Sequence, residues 1–179
     1  MRTIYVIGAP GAGKSSAVRR AVQLAHWGEP IQRLKPIPFM DYGAGCIQLG
    51  KVRDNGFSGT DALGMAINPR AIEFVESRPA HVVLGEGDRL ANGGFLSAAD
   101  RAGILTVVWI DVPPEIARER ARERALRLGT KEQTESWWKG RYTKTSRLAG
   151  GWPHIRIDGT GHPETVAQAL ADILPTLRY

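Results

Sequence analysis

Gly8-Ala9-Pro10-Gly11-Ala12-Gly13-Lys14-Ser15 follows the apolar run Ile4-Tyr5-Val6-Ile7 and leads into a stretch with alanine and valine at helical spacing. The eight residues satisfy the pattern G-x-x-x-x-G-K-[ST] at every position. At average glycine usage, a chance match in a chain of this size is about one in a hundred. Glycines let the backbone curl so that successive N–H groups converge on phosphate oxygens. A helix starting at Lys14 adds unpaired amides and the positive end of its dipole. Gly8, Ala9, Pro10, Gly11, Ala12, Gly13, Lys14, Ser15 and Ser16 are therefore the candidate ATP-binding residues. Lys14 is placed to reach the β- and γ-phosphates, and the Ser15 hydroxyl to ligate Mg²⁺.

Outward from this loop, strands alternate with helices. Thr3–Ile7 reads as a buried strand and Lys14–His26 as a helix ended by Gly28 and Pro30. Ile31–Leu34 and Pro38–Tyr42 read as strand fragments, and residues 43–59, rich in glycine, as loop or hairpin. Thr60–Ile67, Pro69–Glu76 and Phe95–Ala102 read as helices, His81–Leu84 as a second strand and Ile104–Ile110 as a third. Pro113–Leu128 reads as a long helix, followed by a polar, basic and aromatic loop. Ile155–Ile157 and Pro163–Leu174 close the chain as strand and helix. The order implies an α/β fold with a mostly parallel sheet, with ligands at the edge where the strands end.

Composition sets the outer limits. The chain has 179 residues, 42 % hydrophobic and 23 % charged, which excludes a largely disordered or collagen-like protein. One cysteine, Cys46, allows neither an internal disulfide nor a Cys-rich zinc site. The longest strongly apolar run, Ile104–Ile110, is far short of the roughly 20 residues of a membrane span. The expected location is the cytoplasm. Of the net charge of +6, most belongs to residues 115–147, where ten Lys/Arg face five Asp/Glu. That segment is expected to meet an anion, either a nucleotide or DNA.

Two further regions carry candidate chemistry. Leu84-Gly85-Glu86-Gly87-Asp88-Arg89 ends the second strand, on the edge that holds the phosphate loop. Glu86 or Asp88 serves as general base there, and the other holds Mg²⁺; Arg89 neutralises phosphate or orients Glu86. On the long helix, Ala117, Ala121, Ala125 and Leu128 share a face suited to close packing on the sheet. Arg120, Arg124 and Arg127 flank it, and Arg120 and Arg124 are candidate catalytic cations. In Ser136-Trp137-Trp138-Lys139-Gly140-Arg141-Tyr142-Thr143-Lys144, aromatic rings either stack on bases or pack in the core.

With these motifs the chain resembles the P-loop nucleoside and nucleotide kinases: the Walker A loop, Glu86-Gly87-Asp88-Arg89, and Ile110-Asp111-Val112-Pro113-Pro114-Glu115 before an Arg-rich helix. Arg156-Ile157-Asp158-Gly159-Thr160 is similar to thymidylate kinases. The resemblance covers most of the chain outside residues 30–80. It implies one three-layer kinase domain over residues 1–179, with a parallel sheet of about five strands and a lid at residues 129–147. Homodimers are common in this class. A narrower resemblance lies in Leu49-Gly50-Lys51-Val52-Arg53, Phe57-Ser58-Gly59-Thr60-Asp61-Ala62-Leu63 and Gly85–Asn92. These look like the phage kinases of thymine hypermodification, which phosphorylate 5-hydroxymethyluracil within DNA. That implies a substrate insert at residues 38–63 and, for a phage-encoded protein, the host cytoplasm.

The leading expectation is a phosphotransferase that moves the γ-phosphoryl group of ATP to a hydroxyl. Lys14, Glu86, Asp88, Asp61, Arg120 and Arg124 are the catalytic candidates, and Asp41, Arg53, Ser58, Thr60, Asp61 and Arg89 the substrate-binding ones; Ser15 and Asp88 would hold the metal. The alternatives are a kinase of free deoxynucleosides or thymidylate-like monophosphates, and a nucleotide-gated DNA-binding module without transfer. A guanine-recognition Asn/Thr-Lys-x-Asp run and a Leu-Ser-Gly-Gly signature are both missing from the sequence, which disfavours a regulatory GTPase and an ABC-type ATPase.

Overall fold

The computed structural model describes residues 1–51 and 58–177. In chain order the elements are β1 (Arg2–Ile7), α1 (Lys14–Leu24), β2 (Ile31–Arg33), β3 (Phe39–Asp41), β4 (Cys46–Leu49), α2 (Asn68–Glu76), β5 (Val82–Glu86) and α3 (Gly93–Ala102). They continue with β6 (Ile104–Asp111), α4 (Pro114–Arg127), α5 (Glu135–Gly151), β7 (His154–Asp158) and α6 (Pro163–Ala171).

The strands form one sheet in the order β2-β3-β4-β5-β1-β6-β7. The five from β4 to β7 are parallel, and β2 and β3 extend the β4 edge antiparallel. Side chains alternate across a strand, so β1 feeds two cores. Ile4 and Val6 pack with Val18 and Ala21 of α1 and Leu170 of α6. Tyr5 and Ile7 pack with Phe74 of α2 and Phe95 and Leu96 of α3. Burial on both faces explains why β1 and β5 carry near-continuous apolar runs.

Two expectations change and one is sharpened. Within residues 43–59, read as loop or hairpin, β4 forms a hairpin with β3 and Lys51 bridges Gly59 antiparallel, and all four residues of β4 are buried. Its pattern shows no alternation because both faces are covered, and the polar Gln48 is satisfied by the Tyr42 hydroxyl, which donates to its Oε1 at 2.9 Å. Thr60–Ile67 is two short 3-10 turns, Thr60–Ala62 and Met65–Ile67, because Leu63 is extended between them. The expected loop around Ser136–Lys144 is most of α5. Thr134 caps that helix by accepting from Trp137 N, Lys139 pairs with Glu135 at 2.8 Å one turn earlier, and Trp138 stacks on Tyr142. Glycines at 140, 150 and 151 had masked this periodicity. No helix among the described residues is long and apolar enough to cross a membrane.

Candidate active site

The phosphate loop joins the C-terminal end of β1 to α1. Gly11 and Gly13 hold φ of 86° and 87°, the left-handed region open to glycine. A Cβ on Gly11 would stand 1.9 Å from the Ala117 carbonyl oxygen of α4, so the loop lies directly against that helix backbone. Ala117 and Ala121 meet the loop through their backbone atoms, while the Ala117 side chain, the one buried in α4, joins the core that holds Val108 and Ile110 of β6, and Leu126 is exposed. Gly11→Ala should therefore displace α4 or the loop, destabilising the protein by about 2 kcal/mol or more. A thermal melt that matched the parent would refute this close packing. Around Gly13 there is open space within 4 Å of a would-be Cβ, and no side chain caps α1. The first-turn amides thus have no competing side-chain acceptor, which fits a triphosphate.

Lys14 curls back over the loop, its Nζ donating to Gly8 O at 2.8 Å and Ala9 O at 3.0 Å. Burial pushes its pKa down, and the negative charges of Glu86, Asp61 and Asp88 oppose that shift. Register sets Glu86 beside Val6 of β1, just below the loop. The Ser15 hydroxyl donates to Glu86 Oε1 at 3.0 Å. Glu86 is 1 % exposed, and desolvation pushes its carboxyl up to about 7 against the pull of Lys14. Its Oε2 is buried and has no hydrogen-bond partner. Buried polar atoms are rarely left unpaired, so an orphaned carboxylate oxygen beside Ser15 marks where a ligand belongs.

Residues 59–61 close this pocket from above. A Cβ on Gly59 would fall 2.0 Å from Glu86 Oε1, so glycine alone lets the segment cross there. Thr60 Oγ1 donates to Glu86 O at 2.9 Å and lies 3.0 Å from the Tyr5 hydroxyl, which donates to Gly87 O at 3.0 Å. Asp61 Oδ1 accepts from the backbone N–H of Asp88 and of Arg89, at 2.7 and 3.0 Å. Thr60 and Asp61 therefore hold the turn after Glu86 in shape. Ser58 is half-buried just before them.

The remaining candidates scatter. Arg120 donates to Gly159 O at 2.8 Å, tying α4 to the end of β7. Arg124 is exposed, and its charge reaches both Lys14 and Glu86. Arg89 contacts the Met65 sulfur, and its buried Nε has no partner. Asp41 stands at the opposite end of the sheet from Glu86, because β3 runs antiparallel and pairs Asp41 with Ile47 near the start of β4. It accepts from Gly43 N at 3.0 Å and faces Arg33, so it takes no part in the site. Arg53 lies outside the described residues.

The sequence matches the model of the family described as P-loop Nucleotide Kinase3 over residues 1–175. The chain belongs to that family. Like the rest of that family it is a P-loop kinase, a nucleotide-binding phosphotransferase. Solved structures share the fold. A gluconokinase from Sinorhizobium meliloti 1021 is 14 % identical with a TM-score of 0.55, covering 96 % of this chain and 91 % of its own. A sugar kinase from Janibacter sp. HTCC2649 is 14 % identical with a TM-score of 0.52, covering 98 % and 96 %. A shikimate kinase from Aquifex aeolicus vf5 is 17 % identical with a TM-score of 0.50, covering 95 % and 93 %. No curated protein matches the sequence.

In this P-loop nucleotide kinase, Asp88 has a different place from the metal-linked one expected. Arg141 pairs with its Oδ2 and Lys144 with its Oδ1 at 2.9 Å, while Lys144 Nζ also donates to Asp88 O at 2.9 Å. Both carboxylate oxygens are engaged by cations of α5, so of the two metal candidates only Ser15 stays at the phosphate loop. Among the described residues, no three His, Cys, Asp or Glu side chains gather into a metal site. Tyr5, Gly59, Arg141 and Lys144 were not singled out as site residues from sequence. Arg141 and Lys144 carried a usable signal, cations three apart on what proves to be a helix.

A cleft of about 540 Å³ opens where β6 and β7 end, lined by Asp111, Pro113, Tyr142, Arg156, Asp158 and Thr160. Arg156 bonds to Asp111 Oδ2 at 2.9 and 2.5 Å and lies over the Trp109 ring.

Proposed function

We propose that this kinase transfers the γ-phosphoryl group of ATP to a hydroxyl, with Glu86 as the general base. The observation that carries this reading is the buried Glu86 carboxyl, bonded to Ser15, influenced by Lys14, and left with one unpaired oxygen at the phosphate loop. The acceptor O–H gives its proton to Glu86 and the oxygen bonds to the γ-phosphorus. The bond from that phosphorus to the β–γ bridging oxygen breaks, and ADP leaves. Lys14 and the loop amides stabilise charge on the phosphoryl oxygens, with Arg124 adding positive potential. Magnesium would be held through Ser15 and would supply charge neutralisation when bound.

The acceptor in this reading is the hydroxymethyl group of 5-hydroxymethyluracil in DNA. Its support is the resemblance carried by Ser58-Gly59-Thr60-Asp61 and Gly85–Asn92, together with the exposed cations of α4 and α5. Thr60 and Asp61 shape the acceptor side by fixing the turn that carries Glu86. The test offers γ-labelled ATP with DNA containing hydroxymethyluracil, thymidine monophosphate, and free deoxynucleosides. Label should reach the modified DNA. Label on the monophosphate or nucleoside alone replaces the acceptor, and DNA binding without any transfer replaces the reading with a nucleotide-gated binding module.

A further inference from the structure

Asp88 joins Asp61, the turn after β5 and α5. Glu86 stands just before that turn, between Gly85 and Gly87, and Gly87 holds φ of 110°. Glycine on either side leaves the local backbone many conformations, so bonds from elsewhere must set the direction of the Glu86 side chain. Residues distant in sequence supply them. Thr60 Oγ1 donates to Glu86 O, the Tyr5 hydroxyl donates to Gly87 O, and Asp61 accepts from the N–H groups of Asp88 and Arg89. The remaining ties run through Asp88 to α5. Its Oδ2 pairs with Arg141 and its Oδ1 with Lys144, and its carbonyl oxygen accepts from Lys144 Nζ at 2.9 Å. Each polar atom of Asp88 is thus bonded to another segment. A base or a metal ligand needs an oxygen turned to the reacting groups, whereas both carboxylate oxygens here are turned to α5. The two cations stand three residues apart on that helix, and Arg141 also lies over the Trp137 ring, 5.4 Å from its centroid. All three charged side chains are partly buried, so salt screens these pairs less than pairs on the open surface.

We infer that Asp88 is a positioning residue that ties α5 to the turn carrying Glu86, so that the alignment of the Glu86 carboxyl depends on α5 being in place. Asp88 then neither takes the acceptor proton nor holds the metal. The part played by Glu86 as base rests on the transfer reading above; the junction does not. Without the Asp88 carboxylate the turn keeps its bonds to Thr60, Tyr5 and Asp61, so it loosens and stays folded. A carboxyl misplaced by about an ångström slows transfer without weakening nucleotide binding.

Two measurements test this, and the first needs no nucleotide. Hydrogen exchange followed by mass spectrometry compares the parent with Arg141→Gln, Lys144→Gln, Asp88→Asn and the triple variant. Each α5 substitution is expected to speed exchange in residues 59–63 and 86–90 by about tenfold, with β1 and α1 exchanging as in the parent. Neither should add to the effect of Asp88→Asn. Unchanged exchange in those two segments overturns the inference, and so do additive effects. A loss of protection spread evenly over β1 and α1 overturns it too, since global stability would then be responsible. The second measurement is label transfer from γ-labelled ATP, read on each of the acceptors named above. On whichever takes label, Asp88→Asn should lower kcat roughly ten- to a hundredfold, with little change in KM for ATP and a pH dependence of kcat shaped like that of the parent. A raised KM for ATP at unchanged kcat makes Asp88 a nucleotide or metal contact, and a lost limb of the pH dependence makes it the base; either result overturns the inference. Transfer to none of the acceptors removes the transfer reading, and hydrogen exchange then decides the junction alone.

Discussion

Replacing Lys14 by alanine is expected to lower phosphoryl transfer by roughly a hundred- to a thousandfold while leaving a folded protein. The loop already bends Lys14 onto Gly8 O and Ala9 O, so the ammonium sits over the cradle before any nucleotide arrives. In the transition state it faces charge spread over the transferred oxygens, and a positioned cation in a site shielded from water cannot be replaced by solvent. A second consequence follows from its neighbour. The positive charge of Lys14 is what pulls the Glu86 carboxyl down against desolvation. Without it, Glu86 holds its proton to higher pH, and less of the base is ionised near neutrality. Initial rates at saturating ATP, with a thermal melt as control, check this. Turnover at the parent rate would remove Lys14 from the machinery.

Glu86→Gln should lower transfer by roughly a hundred- to ten-thousandfold, because the amide cannot take the acceptor proton although it keeps the shape and a bond to Ser15. Full activity would move the base to another group. The same variant has a signature that does not depend on turnover. The folded carboxyl titrates near 7, raised above its ordinary value chiefly by burial. A carboxyl raised in this way favours folding fully below its unfolded pKa of about 4.3, and that contribution fades as pH climbs through the folded value. The glutamine variant lacks the penalty of ionising in a buried site. In the absence of nucleotide, its melting temperature should exceed that of the parent at about pH 8 and converge with it near pH 4. A difference independent of pH would mean that the carboxyl is not desolvated as described.

The phosphate loop and its helix were legible because both are local. Eight contiguous residues specify the turn, and β1 and β6 announce themselves as apolar runs. Glu86 was legible as a carboxylate at a strand end, although its sequence neighbour Asp88 looked equally suited to chemistry. Register and burial separate them. Glu86 closes β5 with its side chain turned into the site, whereas Asp88 is past the strand and within reach of α5. The strand β4 and the helix α5 were less legible, for a shared reason. Glycine lowers every local propensity, and in both places tertiary contacts override it: β4 gains a parallel partner in β5, and α5 gains a helical face through Trp138, Thr145 and Ala149.

From sequence alone came the Walker A motif, the α/β alternation, the kinase class and the concentration of positive charge after Glu115. The folded chain decided which groups meet. Gly59, Thr60 and Asp61 come to rest over a carboxylate some 26 residues away, Asp41 goes to the far end of the sheet, and Arg141 and Lys144 take hold of Asp88. Spacing along a chain specifies hydrogen bonds only within a turn or a helix. Contacts between distant segments depend on strand order and register, which are set by how the whole apolar surface is buried.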